Sequence, residues 1–196
     1  LLRFVTSYPD QEAVSRIPGL AMRRDHEVRL NPRETYLFTT GSDGLLRDPG
    51  FTHSYETVGL PVQVKRGCNR RCSYCVEPLI EGSTIHYRDP FDVIQELQTV
   101  DERHPGIQKI FFVDTEFNVP DLDHCSDLIQ MLLHSGLNKR FRFASQFLPR
   151  PFTDEFAALL AEAGFSIVLT CDSLSDTVLR ANHVAHSSRD IIQAIE

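Results

Sequence analysis

An α/β fold built on parallel strands is what the sequence predicts from residue 60 onward. Two observations predict it. Apolar runs of strand length, at residues 60–65, 109–113, 141–145 and 166–170, alternate with amphipathic stretches of helix length, the pattern of βαβ units. The helical stretches also begin and end on the residue types that start and stop helices. Periodicity alone leaves open whether such strands close into a barrel or lie in an open doubly wound sheet.

Residues 1–59 carry scattered turn signals (Pro9-Asp10, Pro18-Gly19, Asn31-Pro32, Gly41, Asp43-Gly44, Asp48-Pro49-Gly50) and little sustained helical periodicity. They read as an irregular wrapping or connecting segment, with 60–196 as the core. Residue 1 is Leu and residues 1–7 form no targeting signal, which reads as a piece of a longer polypeptide with something upstream.

After the first strand, Asp89-Pro90 followed by Phe91, Val93, Ile94, Leu97 and Val100 supplies an N-cap, a proline at the first helical position and an apolar stripe. Residues 121–134 repeat the pattern with Leu122, Leu128, Ile129, Leu132 and Leu133, stopped by Gly136. Thr153 is a suitable cap for a third helix ending at Ala163 and Gly164, and further helices are expected from Ser175 and Ser188. With 41% hydrophobic residues the chain can bury a core, and no apolar run is long enough for a membrane span. The net charge of −7 offers no basic footprint, so nucleic acid is not expected as a partner. A cytoplasmic enzyme acting on a small molecule fits these features.

Between the first strand and the first long helix stand Cys68, Cys72 and Cys75, a C-x3-C-x2-C run. Five cysteines without a signal peptide do not make a disulfide framework. No second C-x2-C pair completes a closed zinc site, and the polar neighbours Asn69, Arg70, Arg71 and Ser73 argue against three core cysteines. Three thiolates in one short loop suit three corners of a [4Fe–4S] cube and leave the fourth iron open.

This run, with Tyr74 just before its last cysteine, resembles the signature of the radical S-adenosylmethionine (SAM) superfamily. The resemblance implies a partial (β/α)6 barrel, incomplete in this chain, with the cysteine loop after its first strand and about four of six units within residues 60–196. It implies Cys68, Cys72 and Cys75 as cluster ligands, SAM on the open iron and Tyr74 near the adenine. Strand carboxyl ends are then where chemistry gathers. At the second, Asp114 is similar to the carboxylate that holds the SAM ammonium in cobalamin-dependent members, in place of the usual Gly-Gly-Glu; Glu116 stands where it could ligate the open iron and oppose SAM chelation. The alternative is that one or both cap the next helix or face water, since acidic residues are usual at helix starts. At the third, Ser145 and Gln146 are candidates for the ribose hydroxyls or methionyl carboxylate of SAM, and Arg150 for a carboxylate. At the fourth, the stretch from Thr170 to Ser173 resembles a Gly-x-Glu-Ser segment, with Asp172 in the glutamate position. Cys125 and Cys171 are expected to pack in helix and strand, and His104, His183 and His186 to have surface or helix-dipole roles.

Ile17 to Leu20, Arg66-Gly67-Cys68, Phe112-Val113-Asp114 and residues 163–173 are together similar to the cobalamin-dependent methyltransferase branch. That branch implies methylcobalamin as methyl carrier, held mainly by an upstream domain, an acceptor such as tryptophan or another small natural-product precursor, and room for an external electron donor. Cys75-Val76-Glu77-Pro78 and residues 82–88 are similar instead to tRNA methylthiotransferases. A non-catalytic metal-binding module is the third alternative.

Overall fold

The computed structural model describes residues 2–24, 26–32, 46 and 49–196. The chain divides into two compact units, Leu1–Thr39 and Thr40–Glu196. The first holds the short helices α1 (Leu2–Ser7) and α2 (Gln11–Ser15) and an antiparallel hairpin of β1 (Ala21–Arg24) and β2 (Glu27–Leu30). Asp10 caps α2 by accepting from the amides of Glu12 and Ala13, and the buried Asn31 amide donates to the carbonyls of Ser15 and Ile17 at 2.9 and 2.8 Å. These elements are too short to leave a periodic signature, and the turn signals between them are all that the sequence displays. The signals at Gly41 and Asp43-Gly44 lie outside the described residues.

The second unit opens with α3 (Pro49–Val58), then β3 (Leu60–Val62), β4 (Lys65–Arg66), α4 (Glu77–Ile80) and β5 (His86–Tyr87). There follow α5 (Pro90–Arg103), β6 (Lys109–Phe112), α6 (Leu122–His134), β7 (Arg142–Phe147), α7 (Asp154–Glu162), β8 (Ser166–Leu169), α8 (Asp176–Ala181) and α9 (Ser188–Ile195). Strands β3, β6, β7 and β8 form a parallel sheet in that spatial order, in a register that sets Leu60 beside Ile110, Ile110 beside Phe143, and Ser145 beside Ile167. Helices α5, α6 and α7 are the crossovers. Each starts on the cap its sequence advertises: Asp89 accepts from Phe91 N–H, Asp121 from Asp123 and His124, and Thr153 from Phe156.

The helices bury Val93, Leu97, Ile129, Leu132 and Leu160 with Leu60, Ile110 and Phe143 of the strands. Phe112, Phe117, Phe143, Phe147 and Phe165 form an aromatic cluster at the centre, with centroids 5.3 Å apart for Phe143 and Phe165 and 5.4 Å for Phe112 and Phe117. Each such ring contributes about 1.5–3 kcal/mol by leaving water, so this layer fixes the sheet on which the loops stand. The expected first strand, 60–65, is interrupted. Backbone amides of Val64 and Lys65 bond a side chain, Asp114, rather than a neighbouring strand, and the chain resumes as β4 paired antiparallel with β5. No helix among the described residues is long and apolar enough to cross a membrane.

Candidate functional site

The cysteine loop begins at Gly67, whose φ of +98° is a conformation that side chains resist. A Cβ there would also run into the carbonyl oxygen of Thr84. Gly67→Ala is therefore expected to lower unfolding stability by more than about 1 kcal/mol and to displace the adjoining Cys68; urea unfolding checks the first and cluster content the second. The loop is then fastened on all sides. Cys68 N–H donates to the Gly82 carbonyl at 3.0 Å, Cys75 N–H to the Cys72 carbonyl at 3.0 Å, and Thr115 Oγ1 to the Gly67 carbonyl at 3.0 Å. Ser73 bonds Asn182 twice, N–H to carbonyl at 3.0 Å and Oγ to Oδ1 at 2.7 Å, and Tyr74 Oη donates to Asp172 Oδ1 at 2.5 Å. All five cysteines are free, with Cys68 buried and Cys72 and Cys75 half-buried.

Beyond β6 the chain makes a tight turn in which Glu116 N–H donates to the Asp114 carbonyl at 2.8 Å, and Glu116 takes φ +101°. Asp114 is 4% exposed; its Oδ1 accepts from Val64 and Lys65 N–H, both at 2.9 Å, and its Oδ2 has no partner. Burial raises its carboxyl to about 6 against the bonds from Lys65 and Val64. Glu116 is raised to about 7, again chiefly by burial, with Thr170 Oγ1 donating to its Oε2 at 3.3 Å. The Lys65 ammonium is buried at 2% exposure and donates to the carbonyls of Glu116 and Val119.

At the third strand only one of the two adjacent candidates reaches the site, because neighbouring strand residues point to opposite faces. Gln146 does. Ser145 is fully buried on the other face and donates to the Phe112 carbonyl at 2.8 Å, so the expectation for it is corrected. At the fourth, Asp172 stands just past β8 with φ +58°, accepting from Tyr74 and lying 3.7 Å from His186 Nε2. Arg150 does not line the site; its charge instead acts on Asp190. Cys125 packs in α6 with its thiol on the Phe117 carbonyl, and Cys171 lies half-buried just past β8.

These groups share one cleft of about 430 Å³. Cys68, Cys72, Cys75, Tyr74, Asp114, Glu116, Gln146 and Asp172 all line it, so eight of the candidate residues meet there. Sequence reasoning missed Arg70, Thr170 and His186. The surface position expected for His186 is corrected: it is buried at 5% exposure, with Nε2 3.1 Å from the Cys171 carbonyl and Nδ1 unpartnered. A loop histidine carries no signal of burial, and only the capping box of Ser187 and Asp190 behind it hints at a fixed position.

The lining holds five carboxylates, Glu77, Glu81, Asp114, Glu116 and Asp172, against the single guanidinium of Arg70. Such a cleft suits a cationic ligand, which would restore the ionised forms that burial disfavours. Among the described residues no three His, Cys, Asp or Glu side chains converge on one ion. The donor set nevertheless fits an iron–sulfur cube, whose corners each take one thiolate on a different iron, so its ligands need not meet at a point. Burial pushes the Cys72 thiol up from its ordinary value, a cost that metal ligation removes.

A family model described as the Radical SAM superfamily matches residues 62–196. A tryptophan 2-C-methyltransferase of Streptomyces laurentii is 31% identical over 146 residues, 71% of this chain and 24% of that protein. A tRNA-2-methylthio-N(6)-dimethylallyladenosine synthase of Syntrophobacter fumaroxidans is 24% identical over 187 residues, 91% of this chain and 40% of that protein. Among solved structures, the radical S-adenosylmethionine methyltransferase TsrM from Kitasatospora setae, with cobalamin and a [4Fe-4S] cluster bound, matches at TM-score 0.72 and 24% identity, covering 91% of this chain and 39% of that one. The chain thus spans between about a quarter and two fifths of these relatives. The likeness in fold bears out the partial barrel, with β3, β6, β7 and β8 as consecutive staves.

Proposed function

The chain belongs to the radical SAM superfamily, and from that premise we propose that it is the core of a cobalamin-dependent methyltransferase acting on a small molecule. The observation that carries the reading is the convergence of three free thiols and an excess of carboxylates on one cleft at the carboxyl ends of the strands. In this reading Cys68, Cys72 and Cys75 hold a [4Fe–4S] cluster, and SAM occupies the cleft between Tyr74 and the acidic wall. Residues 1–59 link the core, 60–196, to an upstream domain that holds most of the cobalamin. When bound, these groups supply the methyl donor, the methyl carrier and the electron chemistry, with an external donor as an electron source.

The chain's own residues bind and orient. Asp114 places negative charge at the base of the cleft, where the sulfonium and ammonium of SAM need it. Glu116 projects from a strained turn and sets how closely the methionyl group approaches the open iron. Gln146 and Asp172 offer bonds to ribose hydroxyls, and Tyr74 gives the adenine an apolar face. The tRNA relatives support a rival, a methylthiotransferase. The five carboxylates and the net charge of −7 oppose it, since phosphate backbones need basic surfaces. The test is the full-length protein, reconstituted anaerobically with iron, sulfide and cobalamin and given methyl-labelled SAM with either tryptophan or tRNA. Label in the small molecule is the expected result; label in tRNA as methylthioadenosine overturns the proposal.

A further inference from the structure

Among the described residues Lys65 is the charged one with the largest fully buried side chain, and no apolar role explains it. A buried ammonium is costly unless its protons are taken up by acceptors. Here the acceptors are the carbonyls of Glu116 and Val119, two points on the loop that follows β6. The same residue's N–H and that of Val64 grip Asp114 at the start of that loop. Lys65 and Asp114 therefore clasp the base of the cysteine loop to the β6–α6 loop from both directions, and Thr115 adds a third link through the Gly67 carbonyl.

Glu116 is what this clasp restrains. Its φ of +101° belongs to glycine, and a side chain there costs on the order of 1–3 kcal/mol, sustained only where surrounding bonds over-determine the backbone. On one side of Glu116, Phe117 N–H donates to the Gln146 carbonyl at 2.8 Å; the carbonyl of Glu116 itself is held by Lys65. We infer that Lys65, three residues ahead of the first cysteine, is a positioning residue: its buried ammonium holds the strained Glu116 backbone so that the carboxylate faces the cleft. Burial lowers the Lys65 ammonium from its ordinary value, while the charge of Asp114 opposes the fall. The role of the Glu116 carboxylate toward SAM rests on the functional reading above; the restraint of its backbone does not.

Two measurements separate those claims. Lys65→Met keeps the length and apolar stem of the side chain and removes its donors. Amide hydrogen exchange of the full chain should quicken by about tenfold or more across residues 115–119 in this variant, with α5 and α7 unchanged. Unchanged exchange there overturns the inference, whether or not any cluster binds. In anaerobically reconstituted protein with equal iron and sulfide, K65M should weaken SAM binding about tenfold, the scale lost when the support of a metal site is removed. Glu116→Gln should do the same, and the double variant should do no worse than either alone. Multiplying effects overturn the inference, because Lys65 would then act other than through Glu116. Wild-type protein that takes up no cluster overturns the functional reading alone, and exchange then decides the case of Lys65. Should K65M not fold, Lys65→Gln, with two uncharged donors in place of three charged ones, is read by the same exchange measurement.

Discussion

Alanine in place of Cys68, Cys72 or Cys75, one at a time, is expected to bring acid-labile sulfide and bound iron to background and, on the proposed function, to reduce methyl transfer by well over 100-fold. Residues that merely support a metal ligand are worth about 10–100-fold, and these thiols are the ligands themselves. The three are not interchangeable in surroundings: Cys68 is 8% exposed and anchored through its amide to Gly82, whereas Cys72 and Cys75 are half-buried and joined by their own turn. All three nevertheless face one cleft, so each deletion removes a corner from the same object. Cys125→Ala is the control. Its thiol lies on the Phe117 carbonyl behind the sheet, and its loss should leave iron and sulfide at the wild-type level. Full cluster content in all three loop variants, measured as iron, sulfide and visible absorption, would refute the assignment.

Asp114→Ala is expected to cost about 2–6 kcal/mol of unfolding stability, at about 1–3 kcal/mol for each of the two buried amides left without an acceptor. Two buried amides, Val64 and Lys65, lose their acceptor, and the charge of Asp114 no longer favours the ammonium of Lys65. Asp114→Asn keeps the acceptor and should cost far less. The two replacements differ again with pH. Burial raises the wild-type carboxyl from 3.8 to about 6, so the folded chain binds this proton more tightly than the unfolded chain. The resulting stabilisation is complete below pH 3.8 and disappears as pH climbs through about 6, amounting to about 3 kcal/mol at about 1.4 kcal/mol per pH unit. The difference in urea-unfolding free energy between wild type and D114N should therefore change by most of that amount, about 2 kcal/mol, between pH 4 and 7. Parallel profiles would mean that Asp114 does not titrate within the fold.

The strands at 109, 141 and 166 were readable because burial on the sheet concentrates Phe, Ile, Val and Leu in short runs, and α5 to α7 because their caps and apolar stripes lie within the segments themselves. Cysteines at short spacing are likewise local, and so the centre of the site was legible. What escaped depends on distant partners. Lys65 has the appearance of a polar strand end, and only carbonyls 51 and 54 residues away make it a buried strut. His186 is held by Cys171, 15 residues back. The break in the first strand after Val62 follows from Asp114, 50 residues beyond the Val64 amide it binds. Ser145 and Gln146 were both nominated although strand geometry admits only one to a given face.

The tethers of the cysteine loop also bear on how the protein matures. Ser73 is bonded to Asn182 and Tyr74 to Asp172, partners 109 and 98 residues downstream. Contacts of such separation are slow to close and reward the chain only once the intervening strands have paired. The nest for the metal thus takes shape near the end of folding, and loading follows assembly of the scaffold instead of directing it.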